Sequence, residues 1–145
     1  RIPCLYSSIW SHQRGYVLHT MTDSDEADAV NSRIPEYEVL QALLERDFPG
    51  SAELRRQLNE TRIERVEAAG SPALLFHFDH VVTAAPVVQR IPVEGHWGDK
   101  AGARVHCLLH VVGGVMKELE FFREDGAPIP SLPLAAQMQI EINRP

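Results

Sequence analysis

Apolar residues recur first at helical spacing and later in alternation, and the change of period divides the chain in two. Tyr37, Leu40, Leu44 and Phe48, with Leu43 beside them, form one stripe that predicts a helix over 35–48. Pro35 suits its first position, and Phe48-Pro49-Gly50 ends it. Ser51 then reads as the N-cap of a second short helix, with Glu53 in its first turn and Leu54 and Leu58 as its buried residues.

Beyond Asn59 the pattern alternates. Ile63–Ala68 reads as a strand, Ala69-Gly70-Ser71-Pro72 as a turn, and Ala73–His80 as a strand with Leu74, Phe76 and Phe78 on one face. Val87–Glu94 reads as a further strand, and Pro92 within it predicts a sheet edge or a bulge. The glycines of 95–102 predict a loop that presents His96 and Trp97 as a candidate contact site. Val105–Val112 and Val115–Arg123 form a hairpin around Gly113-Gly114. Pro128, Pro130 and Pro133 impose extended, irregular chain, and Met138–Ile142 reads as a last short strand or a frayed helix. Helices precede strands in a block, so the fold class is α+β: two N-terminal helices followed by an antiparallel sheet of about four to five strands.

The hairpin register decides which side chains meet. A tight two-residue loop would set Leu109 against Glu118 and Cys107 against Glu120, mixing both faces. A one-residue shift at a glycine bulge brings Val111 to Val115, Cys107 to Leu119 and Val105 to Phe121, leaving Lys117 as the apolar face's only charged member. That shifted register is the expected one. Its other face sets His106 opposite Glu120 and Leu108 opposite Glu118, with His110 diagonal to Glu118. Two imidazoles and two carboxylates are able to bind a divalent metal or to exchange protons. Yet residues i and i+4 on a strand lie about 13 Å apart, so His106 and His110 cannot share one ion unless another strand folds over them. Solvent-facing His–Glu pairs across strands account for the pattern without chemistry.

Composition narrows the function classes. The chain has 145 residues, a formal net charge of -6 and scattered basic residues, which disfavours nucleic acid as a partner. No apolar run is long enough to cross a membrane, and a cytoplasmic location is expected. Cys107 sits in an apolar run as a small hydrophobe; a Cys4–Cys107 disulfide is disfavoured, since nothing signals secretion. No nucleophile elbow, phosphate loop, dinucleotide fingerprint or paired-cysteine metal site occurs, so no motif calls for a cofactor. Residues 1–20 lack Asp and Glu, whereas an acidic stretch follows Met21. Residues 1–33 are therefore expected to lie outside the domain, as upstream read-through to Thr20 and then a disordered acidic start from Met21. Residues 34–145 form the single domain.

Phe48-Pro49-Gly50, Glu53-Leu54-Arg55 and Gln57-Leu58, together with Pro92-Val93-Glu94, Val105–Val111, Lys117–Gly126, Pro128-Ile129 and Leu132-Pro133, resemble small uncharacterised proteins of actinobacteria and a broader domain-of-unknown-function family. The resemblance spans about 34–134. It implies one domain starting near Met21 and carries no activity or site residues.

Three functions compete. The leading one is a non-enzymatic interaction module, immunity- or antitoxin-like, whose acidic surface takes a basic protein partner and whose Val87–Glu94 edge accepts a strand. The second is a small metal-binding or hydrolytic enzyme using His106, His110, Glu118 and Glu120. The third is a small-molecule binding domain with a pocket lined by Phe76, Phe78, Leu108 and Phe122.

Overall fold

A computed structural model describes residues 23–145. Three helices come first: α1 (Asp23–Asn31), α2 (Tyr37–Leu44) and α3 (Ser51–Leu58). Six strands follow: β1 (Arg62–Ala68), β2 (Ser71–His77), β3 (Val93–Gly98), β4 (Arg104–Val112), β5 (Val115–Arg123) and β6 (Gln139–Ile142). They form one antiparallel sheet in the order β1-β2-β5-β4-β3-β6. The class is α+β as expected, with one more helix and one to two more strands.

The leucines of the helical stripe bury one face of this sheet. Leu40, Leu43, Leu44, Leu54 and Leu58 share a single core with Leu74, Phe76, Val105, Cys107, Leu109, Leu119 and Phe121. Alternation along β4 is strict, with Val105, Cys107, Leu109 and Val111 buried and His106, Leu108 and His110 half-exposed on the far side.

The extra helix α1 occupies the acidic stretch expected to be disordered. It lacks an apolar stripe, so composition hides it; polar contacts hold it instead. Asn31, 2% exposed, donates from Nδ2 to the Thr61 carbonyl at 2.9 Å and accepts the Ile63 N–H at 3.3 Å. Tyr37 donates its hydroxyl to Asp28 at 2.6 Å. The packed domain thus begins before residue 34. The read-through to Thr20, the start at Met21 and Cys4 lie outside the described residues; Cys107 is a buried free thiol.

Two expectations for 87–102 are overturned. Residues 87–92 are no strand and offer no free edge: Pro86 and Pro92 lack ladder donors, and the segment is held through Ala85 N–H to the Gly114 carbonyl and Val111 N–H to the Arg90 carbonyl, both 2.8 Å. The first half of the expected glycine loop, 95–98, is instead part of strand β3, set between β4 and β6, and the turn is confined to 99–103. Gly95 is there for packing: a Cβ at this position would stand 3.0 Å from Cys107 Sγ and 3.3 Å from a Leu43 methyl. Its absence lets α2 sit close on the sheet. Met138–Ile142 resolves as strand, pairing β6 with β3.

The hairpin keeps the tight loop and shifts elsewhere. Val112 pairs with Val115 and Val111 with Met116, after which the register slips and His110 pairs with Glu118, Leu109 with Leu119 and Cys107 with Phe121. The slip runs opposite to the expected one, so Cys107–Leu119, Val105–Phe121 and His106–Glu120 are not register partners. The inserted residue is Lys117. Bulging it out leaves the lysine exposed and turns Met116 into the core at 0% exposure. The expected register would have kept Lys117 on the buried face.

Candidate functional site

Side chains on the sheet face turned away from the helices form a row across all six strands. Following the register, it contains Arg62 and Glu64 from β1, Leu75 and His77 from β2, and Glu118, Glu120 and Phe122 from β5. Arg104, His106, Leu108 and His110 follow from β4, Glu94 and His96 from β3, and Gln139 and Glu141 from β6. Antiparallel alternation puts them there, because every neighbour faces its partner on the same side.

Each histidine in the row stands beside a carboxylate. His77 Nε2 lies 2.8 Å from Glu64, His106 Nε2 2.8 Å from Glu124, and His110 Nε2 2.9 Å from Glu120. His96 Nε2 is 3.5 Å from Glu141. His106 stacks on Phe122 with centroids 4.9 Å apart and planes 14° from parallel, and its ring lies 5.9 Å from that of His96. Arg90 donates from Nε to His110 Nδ1 at 3.3 Å. That contact requires a lone pair on Nδ1, so the proton of the neutral ring sits on Nε2 and is donated to Glu120.

His106, His110, Glu118 and Glu120 therefore do share a face, as alternation predicts, without converging on a point. His110 takes Glu120, His106 takes Glu124, and Glu118 sits opposite His110 in the ladder. Among the described residues, no group of three or more His, Cys, Asp or Glu side chains is placed to hold a metal ion.

His96 and Trp97 are not an exposed contact loop. Trp97 is 5% exposed and meets Phe121 edge to face at 6.3 Å, while His96 is 9% exposed on the other side of β3. The apolar pocket does not form either: Phe76 belongs to the helix-side core, whereas Leu108 and Phe122 lie on the far face. A cleft of about 440 Å³ lies elsewhere, beside α1, where His80 and Glu60 already pair at 3.0 Å.

Burial pushes the Cys107 thiol up to about 12, and its S–H points at the Gly95 carbonyl at 3.6 Å, so it is no nucleophile at neutral pH.

Sequence reasoning missed Glu64, His77, Glu94, Glu124, Glu141 and Arg90. Alternation in β1 and β2 carries the signal for Glu64 and His77. Glu141 has no local signal, since the pairing of β6 with β3 joins segments more than forty residues apart.

No protein family matches this chain, and no curated protein or solved structure matches it. No helix among the described residues is long and apolar enough to cross a membrane.

Proposed function

We propose that the protein is a non-enzymatic interaction module whose far sheet face receives a basic protein partner, in the manner of an immunity protein or antitoxin working in the cytoplasm. One observation supports this most. The face sets the carboxylates of Glu64, Glu94, Glu118, Glu120, Glu124 and Glu141 around the half-exposed Leu75, Leu108 and Phe122, against Arg62, Arg90 and Arg104. Apolar seats ringed by like charge suit a partner presenting lysine or arginine beside hydrophobic side chains. The four histidines read as spacers that hold the carboxylates in place. The likeness to an actinobacterial domain-of-unknown-function family is compatible with this reading and adds no chemistry to it.

The test is affinity capture from the native host with the wild type beside a Glu118→Lys/Glu120→Lys variant. A basic protein retained by the wild type, lost by the variant and released by salt is the expected result. A captured protein indifferent to both the substitutions and the salt overturns the reading.

A further inference from the structure

The exposed edge of β1 carries a pattern that fits its own copy. Asn31 marks which way this strand points. Its side-chain amide bonds the Thr61 carbonyl and the Ile63 N–H, so residues 61 and 63 direct their backbone groups away from β2. Alternation sends the N–H and C=O of Arg65 and Glu67 the same way. The β1–β2 turn agrees: Ala68 and Ser71 flank a two-residue loop, which makes the even-numbered residues the ones bonded to β2. Asn31 thus stands in for a neighbouring strand over the first part of the edge and stops there. Beyond it, with no other partner among the described residues, Arg65 and Glu67 present two donors and two acceptors, with the side chain of Val66, 37% exposed, between them.

We propose that a second copy of this chain adds its β1 to this edge, antiparallel about a two-fold axis through Val66, joining the two sheets into one. Antiparallel self-pairing about an axis normal to the sheet brings together residues of equal parity, so each register has one residue at its centre. Centring on Glu64 opposes two glutamates and uses the Ile63 N–H that Asn31 already holds. A centre at Arg65 opposes two arginines, and one at Glu67 opposes two glutamates. Centring on Val66 sets Arg65, which within one copy already holds Glu36 and its own Glu67, beside the partner's Glu67 twice, with main-chain bonds in both pairs, and packs the two valines together. Glu64 then faces the partner's Ala68 without conflict. Of the registers that leave the Ile63 N–H with Asn31, it is the one whose charges attract. The edge adjoins the far-face site at Arg62 and Glu64, and the two proposals are separated by the substitutions that test them.

Sedimentation velocity from micromolar to sub-millimolar concentration tests it. The mass should rise to that of two chains, and Glu67→Lys, which sets lysine against arginine, should weaken association about tenfold or more. Glu67→Pro should do the same by removing one outward N–H while leaving the β2 ladder intact. In a Cys4→Ser background, Val66→Cys should give a disulfide-linked dimer under mild oxidation faster than Arg62→Cys. Circular dichroism should show every variant folded. A wild type that stays monomeric throughout, an unchanged association for Glu67→Lys, or equal cross-linking at 62 and 66 overturns the proposal. Capture of a basic partner through Glu118 and Glu120 should persist in Glu67→Lys, which separates the two surfaces.

Discussion

The side chain of Gln57 accepts the backbone N–H of Met116 at 3.0 Å, joining α3 to the place where β5 leaves regular pairing. The same amide donates to the carbonyls of Gly114 at 2.8 Å and Thr83 at 3.0 Å. Gln57 is 1% exposed; the bonds to Met116 and Gly114 are buried and the one to Thr83 partly so. Met116 keeps Val111 as its partner across the hairpin, whereas the pairing of β2 with β5 stops at Glu118, and Gln57 takes the Met116 N–H just beyond that point. Gln57→Leu keeps the volume and takes the side-chain partner from the Met116 N–H and the Thr83 carbonyl, while the Gly114 carbonyl keeps the Ala85 N–H. The expected loss is about 3 kcal/mol, read from urea unfolding. A loss below about 0.5 kcal/mol, within the range of ordinary surface changes, would mean the bulge does not depend on this residue.

Arg65 holds a carboxylate that has no other access to water. Its Nε lies 2.6 Å from Glu36, which is 2% exposed at the start of α2. Arg65→Met leaves that charge buried, and the expected destabilisation is about 2–3 kcal/mol. Adding Glu36→Leu should recover most of it, because the penalty belongs to the stranded charge. Failure to recover would assign the loss to packing of the arginine stem.

Stability should fall in alkali. Burial raises the Cys107 thiol from 9.0 to about 12, and burial together with the Asp28 hydrogen bond and charge raises the Tyr37 phenol from 10.0. Both groups have folded values above their unfolded ones, so their contribution is complete below pH 9 and is lost as pH rises through the folded values. Unfolding midpoints measured from pH 8 to 11 should decline, and Cys107→Ala should flatten the first part of that decline. In the native protein Cys107 should resist alkylation until the chain unfolds.

His110 should be the Nε2–H tautomer. The Arg90 Nε–H points at Nδ1, leaving Nε2 to donate to Glu120. Nitrogen-15 correlation spectra of the imidazoles at neutral pH read this directly. Arg90→Ala should let the other tautomer appear, whereas a dominant Nδ1–H form in the wild type would refute the assignment.

Ala69 is the one non-glycine residue with positive φ among those described, at 53°, in the β1–β2 turn. Ala69→Gly should stabilise the fold by about 0.5–1 kcal/mol, since glycine carries no Cβ penalty there. An unchanged or lower melting temperature would show that the extra freedom of the unfolded chain outweighs the relieved strain.

Local pattern reached as far as local cause did. The stripe Tyr37–Leu40–Leu44, the Pro49-Gly50 break and the alternation in β1, β2, β4 and β5 determined two helices, four strands and the faces of their side chains, because 3.6 and 2.0 are properties of the backbone itself. That is why His106, His110, Glu118 and Glu120 could be placed on one face from residue order alone. What lies opposite what was another matter. The Met116 N–H beside the Lys117 bulge is held by Gln57 from fifty-nine residues away, a contact that no reading of the hairpin alone could locate. Gly95 looked like a loop residue because the reason for it, the approach of Leu43 and Cys107, exists only after α2 has docked. The helix α1 owes its place to an asparagine amide thirty residues from its acceptor. Periodicity thus assigned each strand its two faces, while tertiary contacts chose the register, the neighbours and the edge, since those are settled by the packing free energy of segments remote in the chain.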